Sequence, residues 1–293
     1  MGFFQGASSK KIRVVANANA HTNIETFPFS EEYFMADFST IKEAREQSGM
    51  RLILAEGVPG PWAEGIKGIL DLKKIPYSRG RFELDSDHAE LIAWTAQASV
   101  PVLAWNDEFP KSAWLEQIFL AEKIQPTPSV IPLDVDERIL MFGMLNELCA
   151  PGGFAWSRRL MLVHMGLNNP ELPSEQKQFF KQFGEKYGYS ADGGLEAPKR
   201  VVNILNMLSK QLKSQMEKGS TYFVGNSISA LDIYWAGMSH LIEPLPEEDC
   251  PMLEDFRPMY MNFDQNVAEA VSNELMEHRE FIYREHLGLP MDL

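Results

Sequence analysis

Few side chains here are spaced for chemistry, and the most promising stretch offers main-chain groups instead. Residues 51–77 read Arg-Leu-Ile-Leu-Ala, then Glu-Gly-Val-Pro-Gly-Pro-Trp, then an amphipathic segment ending Lys-Lys-Ile-Pro-Tyr. The apolar run from Leu52 to Ala55, closed by Gly57, predicts a buried strand. Pro61 suits a first helical turn, where a missing N–H costs nothing. Trp62, Ile66, Ile69 and Leu70 then share a face at helical spacing. A strand, a Gly/Pro loop and a helix N-terminus form a ready site for an anion.

Two further groups could hold a ligand. Ser112, after Lys111, offers a hydroxyl ahead of free helix N–H groups, which suits a carboxylate. The plainer alternative is an N-cap serine beside a solvated lysine. Phe154, Trp156, Arg158 and Arg159 follow the break Pro151-Gly152-Gly153. Aromatic surface with arginine suits a planar or anionic molecule, although an ordinary half-buried helix start has the same composition. Other chemistries lack their residues. The glycines at 57, 60, 65 and 68 are not followed by Gly-Lys-Ser/Thr, and no Gly-x-Gly-x-x-Gly or Gly-x-Ser-x-Gly occurs. The six histidines are scattered without metal-ligand spacing, so no metal is expected.

These groups need elements to position them, and the composition allows two domains. A chain of 293 residues, 45% apolar and 23% charged, is long enough for two cores of the ordinary soluble kind. Its net charge of −14 argues against nucleic acid or an anionic membrane as partner, since both need clustered Lys and Arg. No apolar run approaches the roughly 20 residues needed to span a bilayer. Two cysteines, Cys149 and Cys250, cannot build a disulfide framework and fit buried thiols in a reducing, cytoplasmic setting.

Residues 1–48 are expected to form an extension, disordered for the most part, with a short helix near 39–48 begun by Ser39-Thr40-Ile41-Lys42-Glu43. Residues 1–24 lack acids and carry Lys10, Lys11 and Arg13. An organelle-targeting peptide, a myristoylation site at Gly2, or a biological start at Met35 all remain open there. Strand 52–55, a helix from Pro61, a second strand after Tyr77, a helix ending near Gln97 and a strand at 99–104 predict an α/β domain over 49–124. The proline-rich segment 125–133 reads as a linker. Residues 134–293 are expected to be helical: a helix capped by Asp134 or Asp136 running to Cys149, one from Phe154, one from Ser174, and the longest from Ala197 to Lys218.

Three of these features recur in order in one family. They are the strand, loop and helix at 51–75, Val100-Pro101 with Lys111-Ser112 beyond it, and Phe223-Val224-Gly225-Asn226-Ser227-Ile228-Ser229-Ala230-Leu231-Asp232. Over roughly residues 50–245 the chain resembles the cytosolic glutathione transferase superfamily. The resemblance implies a thioredoxin-like α/β N-terminal domain followed by an all-α C-terminal domain, and a homodimer. Ser229 and Asp232 read as a capping box, a matter of fold and not of chemistry.

The resemblance also implies where glutathione would lie. The backbone of Val100, ahead of a cis Pro101, would pair with its cysteinyl part. Lys111-Ser112 would hold its γ-glutamyl carboxylate, although Lys111 stands where the family has an acidic or amide residue and cannot accept from the ammonium. Phe154, Trp156 and Arg158 would wall the pocket of a hydrophobic electrophile. The slot for the activating Ser, Tyr or Cys falls on Gly60-Pro61-Trp62-Ala63, which holds neither hydroxyl nor thiol. The N–H groups at Trp62 and Ala63 are then expected to stabilise the thiolate, opposed by Glu56 and Glu64 if those point inward. The leading expectation is a glutathione transferase used in detoxification. A non-catalytic binding or carrier protein is the alternative, and a glutathione-dependent isomerase, dehalogenase or lyase a third.

Overall fold

The structure, a computed structural model, describes residues 10–16 and 22–28 as strands and then 38–84 and 86–293 in full. The readings of residues 1–9, 17–21 and Met35 lie outside the described residues. Strands β1 (Lys10–Ala16) and β2 (Thr22–Pro28) pair antiparallel, where mostly disorder was expected; β-branched residues are frequent in both.

The sheet begins earlier than residue 49. Strand β3 (Phe38–Ser39) lies parallel to β5 (Tyr77–Arg81), which lies parallel to β4 (Met50–Leu54), and β6 (Val102–Trp105) runs antiparallel to β4. The order is β3-β5-β4-β6. Thr40 and Glu43 close a capping box at the start of α1 (Ile41–Glu46), so the expected helix stands between two strands of one sheet.

β4 is apolar throughout because both its faces are covered. Met50, Leu52 and Leu54 point into the large core shared with α2 (Pro61–Leu72) and α4 (Trp114–Ile124). Ile53 joins Ala44, Phe82, Leu91 and Val102 in a smaller core beneath α1 and α3 (Ala89–Thr95). On that second face Arg51 is also buried, its guanidinium stacked over Trp94 and bonded to the carbonyls of Gly49 and Asn106.

α2 is more than the amphipathic helix its pattern predicts. Its apolar face lies on the sheet, and its opposite face packs on α9 (Ala230–Ser239) of the helical domain. A Cβ on Gly65 would lie 2.5 Å from the Tyr234 ring, one on Gly68 2.8 Å from Ile233, and one on Gly237 3.0 Å from Glu64. α9 is held by its cap: the Asp232 carboxylate accepts from the Ser229 N–H at 2.8 Å, the Ser229 hydroxyl at 2.6 Å and the Phe223 N–H at 2.9 Å. This is the capping box expected from sequence, tied in addition to the preceding loop.

The remaining helices are α5 (Val135–Cys149, capped by Asp134), α6 (Phe154–Asn168), α7 (Ser174–Lys186) and α8 (Ala191–Glu217). α8 starts six residues before the expected Ala197 and carries Pro198 inside it. Ser190 caps it through the Gly193 N–H, and the ring of Pro198 faces the turn at Gly194, where a Cβ would meet His164 at 2.5 Å. The tail divides into a 3₁₀ turn (Glu254–Phe256), α10 (Arg257–Tyr260), α11 (Gln265–Ala270), α12 (Asn273–Ile282) and a π turn (Tyr283–Leu287). No described helix is long and apolar enough to cross a membrane.

Two predictions test this packing. Gly65→Ala should lower stability by about 3 kcal/mol through overpacking against Tyr234. Gly143→Ala, in open space on α5, should raise it by about 0.5–1 kcal/mol; chemical denaturation of both variants measures the pair. His240 is buried against the Tyr283 hydroxyl at 3.0 Å, and burial, with Arg279, Arg257 and Lys67 nearby, lowers its pKa from 6.5 to about 3. The unfolded chain therefore takes up this proton between pH 6.5 and 3 while the folded chain does not, so stability from this group is complete above 6.5 and lost on acidification. Between pH 7 and 5, His240→Gln should lose about 2 kcal/mol less stability than the parent.

Candidate functional site

Register brings the start of α2, Val100-Pro101 and Lys111-Ser112 to one end of the sheet. β6 is antiparallel to β4, and Val102 sits opposite Ile53, so Pro101 lies beside the C-terminal end of β4. That end leads through residues 55–60 into α2. Lys111 pairs with Leu103 through both main-chain bonds, at 2.9 and 2.7 Å, which sets Ser112 next to the same edge. Ligands of α/β sheets commonly bind outside the carboxyl ends of the strands, and these segments meet there.

The slot at 60–63 is as bare as its sequence. Gly60 is the N-cap of α2, Pro61 its first residue, and Ala63 is buried. By helix geometry the N–H groups of Trp62 and Ala63 have no intrahelical acceptor. The Trp62 indole is turned toward the helical domain, where its N–H donates to the Cys149 carbonyl at 3.0 Å. The acids that would oppose an anion are each paired: Glu56 with Arg81 at 2.8 Å, and buried Glu64 with Lys67 at 2.9 Å. Burial holds the Glu64 carboxyl above its ordinary range while Lys67 pulls it down. The loop is fixed from outside by the tail, since the Leu253 N–H donates to the Gly57 carbonyl at 3.0 Å and its side chain rests on Gly57, whose φ is +70°.

Val100-Pro101 is a cis peptide, as the resemblance implies. Val100 lies before the paired residues of β6, so the ladder does not use its main-chain groups. Ser112 is exposed and is not the N-cap of α4; that position is Ala113, with Ser112 one residue outside it. Lys111 is half-buried as an edge-strand residue. Sequence gave no sign of Gln117, whose buried amide donates to the carbonyls of both Pro101 and Lys111 at 3.0 Å and locks the two segments together.

The aromatic and arginine group divides. Phe154 is fully buried, edge-on to Trp235 in the core. Arg158 gives its N–H groups to the carbonyls of Leu241 at 2.8 Å and Met261 at 3.0 Å and so holds the tail. Neither faces the end of α2. Trp156 does: it meets Trp62 edge-on at 6.4 Å and Tyr187 at 4.9 Å, and Phe183 continues the row 4.9 Å from Tyr187. Arg159 lies over Phe183 and over Tyr260, a residue of the tail. Neighbouring residues on a helix point about 100° apart, so adjacent arginines cannot both reach one cleft, and sequence did not indicate which would.

Both cysteines are buried free thiols. Burial pushes the Cys149 thiol well up and raises Cys250 to about 11. Among the described residues no three His, Cys, Asp or Glu side chains are grouped to hold a metal. A groove of about 210 Å³ lies away from the sheet, between α6, α8 and residues 259–264, lined by Met161, Met165, Met259 and Met261 with His164 and Asp264.

No family model matches the chain, and no curated protein matches its sequence. Solved structures do. A glutathione S-transferase from Xanthobacter autotrophicus Py2 aligns with 83% of this chain and 98% of its own, at 13% identity and a TM-score of 0.52. Ure2p in complex with S-hexylglutathione aligns with 77% of this chain and 99% of its own, again at 13% identity and 0.52. A glutathione S-transferase from Methylobacillus flagellatus KT with glutathione bound covers 76% and 99%, at 14% identity and 0.50. At such identities the likeness is one of architecture: a thioredoxin-like domain followed by an all-helical domain, the fold of the glutathione S-transferases.

Proposed function

We propose that the protein binds glutathione at the C-terminal end of β4 and conjugates it to an aromatic electrophile. The supporting observation is the meeting of α2's first turn, cis Val100-Pro101 and Ser112 at one sheet edge. In this reading the Val100 main chain pairs with the cysteinyl unit, and Ser112 with the first N–H groups of α4 holds the γ-glutamyl carboxylate. Lys111 adds positive charge beside that carboxylate. The sulfur faces the N–H groups of Trp62 and Ala63.

A free thiol, with pKa near 8.5, is only a few per cent ionised at neutral pH, and a helix N-terminus lowers that value. Pairing of Glu56 and Glu64 with Arg81 and Lys67 leaves the first turn positive. The thiolate lone pair forms the C–S bond while the electrophile's leaving group departs with its own electron pair. Trp62 and Trp156 form the acceptor wall. A second reading, glutathione binding without turnover, is favoured by the missing hydroxyl in Gly60-Pro61-Trp62-Ala63.

The exposed apolar residues Leu115 and Phe119 of α4 and Val135, Ile139 and Leu140 of α5 are joined by stacking of Phe119 on Phe142 at 5.7 Å. That exposed apolar surface is the proposed contact of a homodimer.

Calorimetry should show glutathione binding at or below millimolar concentration, weakened about threefold to tenfold in Ser112→Ala; absence of binding at 10 mM, about tenfold above that range, overturns the reading. Turnover of an activated aryl halide should exceed the uncatalysed rate, with an apparent pKa below 8.5. Binding without such turnover selects the second reading. Sedimentation should give a dimer that Ile139→Glu converts to monomer.

A further inference from the structure

Arg158, Arg257 and Arg279 each give N–H groups to main-chain carbonyls of the fold. Arg159 does not. It is nine-tenths buried, and its Nε has no hydrogen-bond partner. The guanidinium carbon lies 5.3 Å from the Tyr260 ring centre and 5.8 Å from that of Phe183. The hydroxyls of Tyr187 and Tyr260 are its polar neighbours, and no carboxylate among the described residues pairs with it. Lys186, exposed at the rim over Tyr187, adds a second positive charge, and among the described residues no carboxylate pairs with it either.

A charge withdrawn from water is costly unless paired, and Arg159 lacks the carbonyl bonds that Arg158 makes. The two aromatic faces stabilise the cation itself, the Tyr187 and Tyr260 hydroxyls take part of its hydrogen-bonding capacity, and the Nε is left without an acceptor. From this point the row Phe183, Tyr187, Trp156 and Trp62 leads back to the first turn of α2. A flat ring laid along that row would present an anionic substituent to Arg159.

We propose that Arg159, with Lys186 at the rim, forms the anion-binding end of this row of rings, and that the molecule taken there is a planar aromatic carboxylate or sulfonate. The inference deepens the proposed function and rests on it only for the ligand's role as acceptor; binding of the aromatic anion stands by itself.

Calorimetry on the full chain with 2-naphthoate and the neutral 2-naphthalenemethanol tests it. The acid should bind at least tenfold more tightly than the alcohol, and the preference should fall as salt is raised. Arg159→Gln should bring the acid to within about threefold of the alcohol without changing the alcohol's affinity, while Arg159→Lys keeps part of the preference. Equal binding of the two probes to the parent chain, or a preference that survives Arg159→Gln, overturns the proposal. If circular dichroism shows that Arg159→Gln does not fold, Lys186→Gln decides: a preference cut about threefold supports the site and an unchanged one overturns it. Glutathione titrated into the same preparation separates the two readings, since acid preference without glutathione binding removes the proposed function and leaves the anion site.

Discussion

The close approach of α2 to α9 is the constraint from which the rest follows. α2 must cover the sheet with one face and receive a whole domain on the other. Two helices can pass so near only where side chains are missing, and Gly65, Gly68 and Gly237 provide that space for Tyr234, Ile233 and the Glu64 stem. The same contact fixes the direction in which the first turn of α2 points. An anion site at that turn is therefore positioned by the domain interface as much as by the loop before it.

A second physical theme is the use of cations to hold main-chain carbonyls. Lys73 donates to the carbonyls of Gln125 and Pro128 and pairs with Glu122, which fastens the linker to the end of α2. Lys67 reaches the carbonyl of Asp292, whose carboxylate is held by Arg79, and so brings the end of the chain back to the sheet domain. Arg158, Arg257 and Arg279 do the same for the segments around 241–261. Charge-assisted bonds of this kind satisfy carbonyls that irregular backbone would otherwise leave buried and unpaired. Against that pattern Arg159 stands apart, a buried cation among rings.

The candidate edge combines economy with exposure. Its donors are main-chain N–H groups and one serine hydroxyl. Its flanking acids are neutralised by neighbours, and its loop is clamped by Leu253 from the tail. Fixed dipoles of this kind need no side-chain nucleophile to favour a negative sulfur.

The strand and helix pattern of the sheet domain, the proline-bearing linker, the Asp134 and Ser229 caps and the bare slot at 60–63 were legible in the sequence, because periodicity, proline and capping chemistry act over a few residues. The start of α8 was misread because Pro198 looks like a helix beginning, whereas Ser190 and Gly194 let the helix form ahead of it. With a nucleotide loop set aside, the glycines of α2 had no role legible in the sequence, because what they accommodate, Tyr234 and Ile233, lies more than 160 residues away in the chain. Local spacing determined that α6 carries adjacent arginines. Only tertiary packing decided that Arg158 ties down the tail while Arg159 meets Phe183 and Tyr260, because those partners come from three separate stretches of chain that share no periodicity.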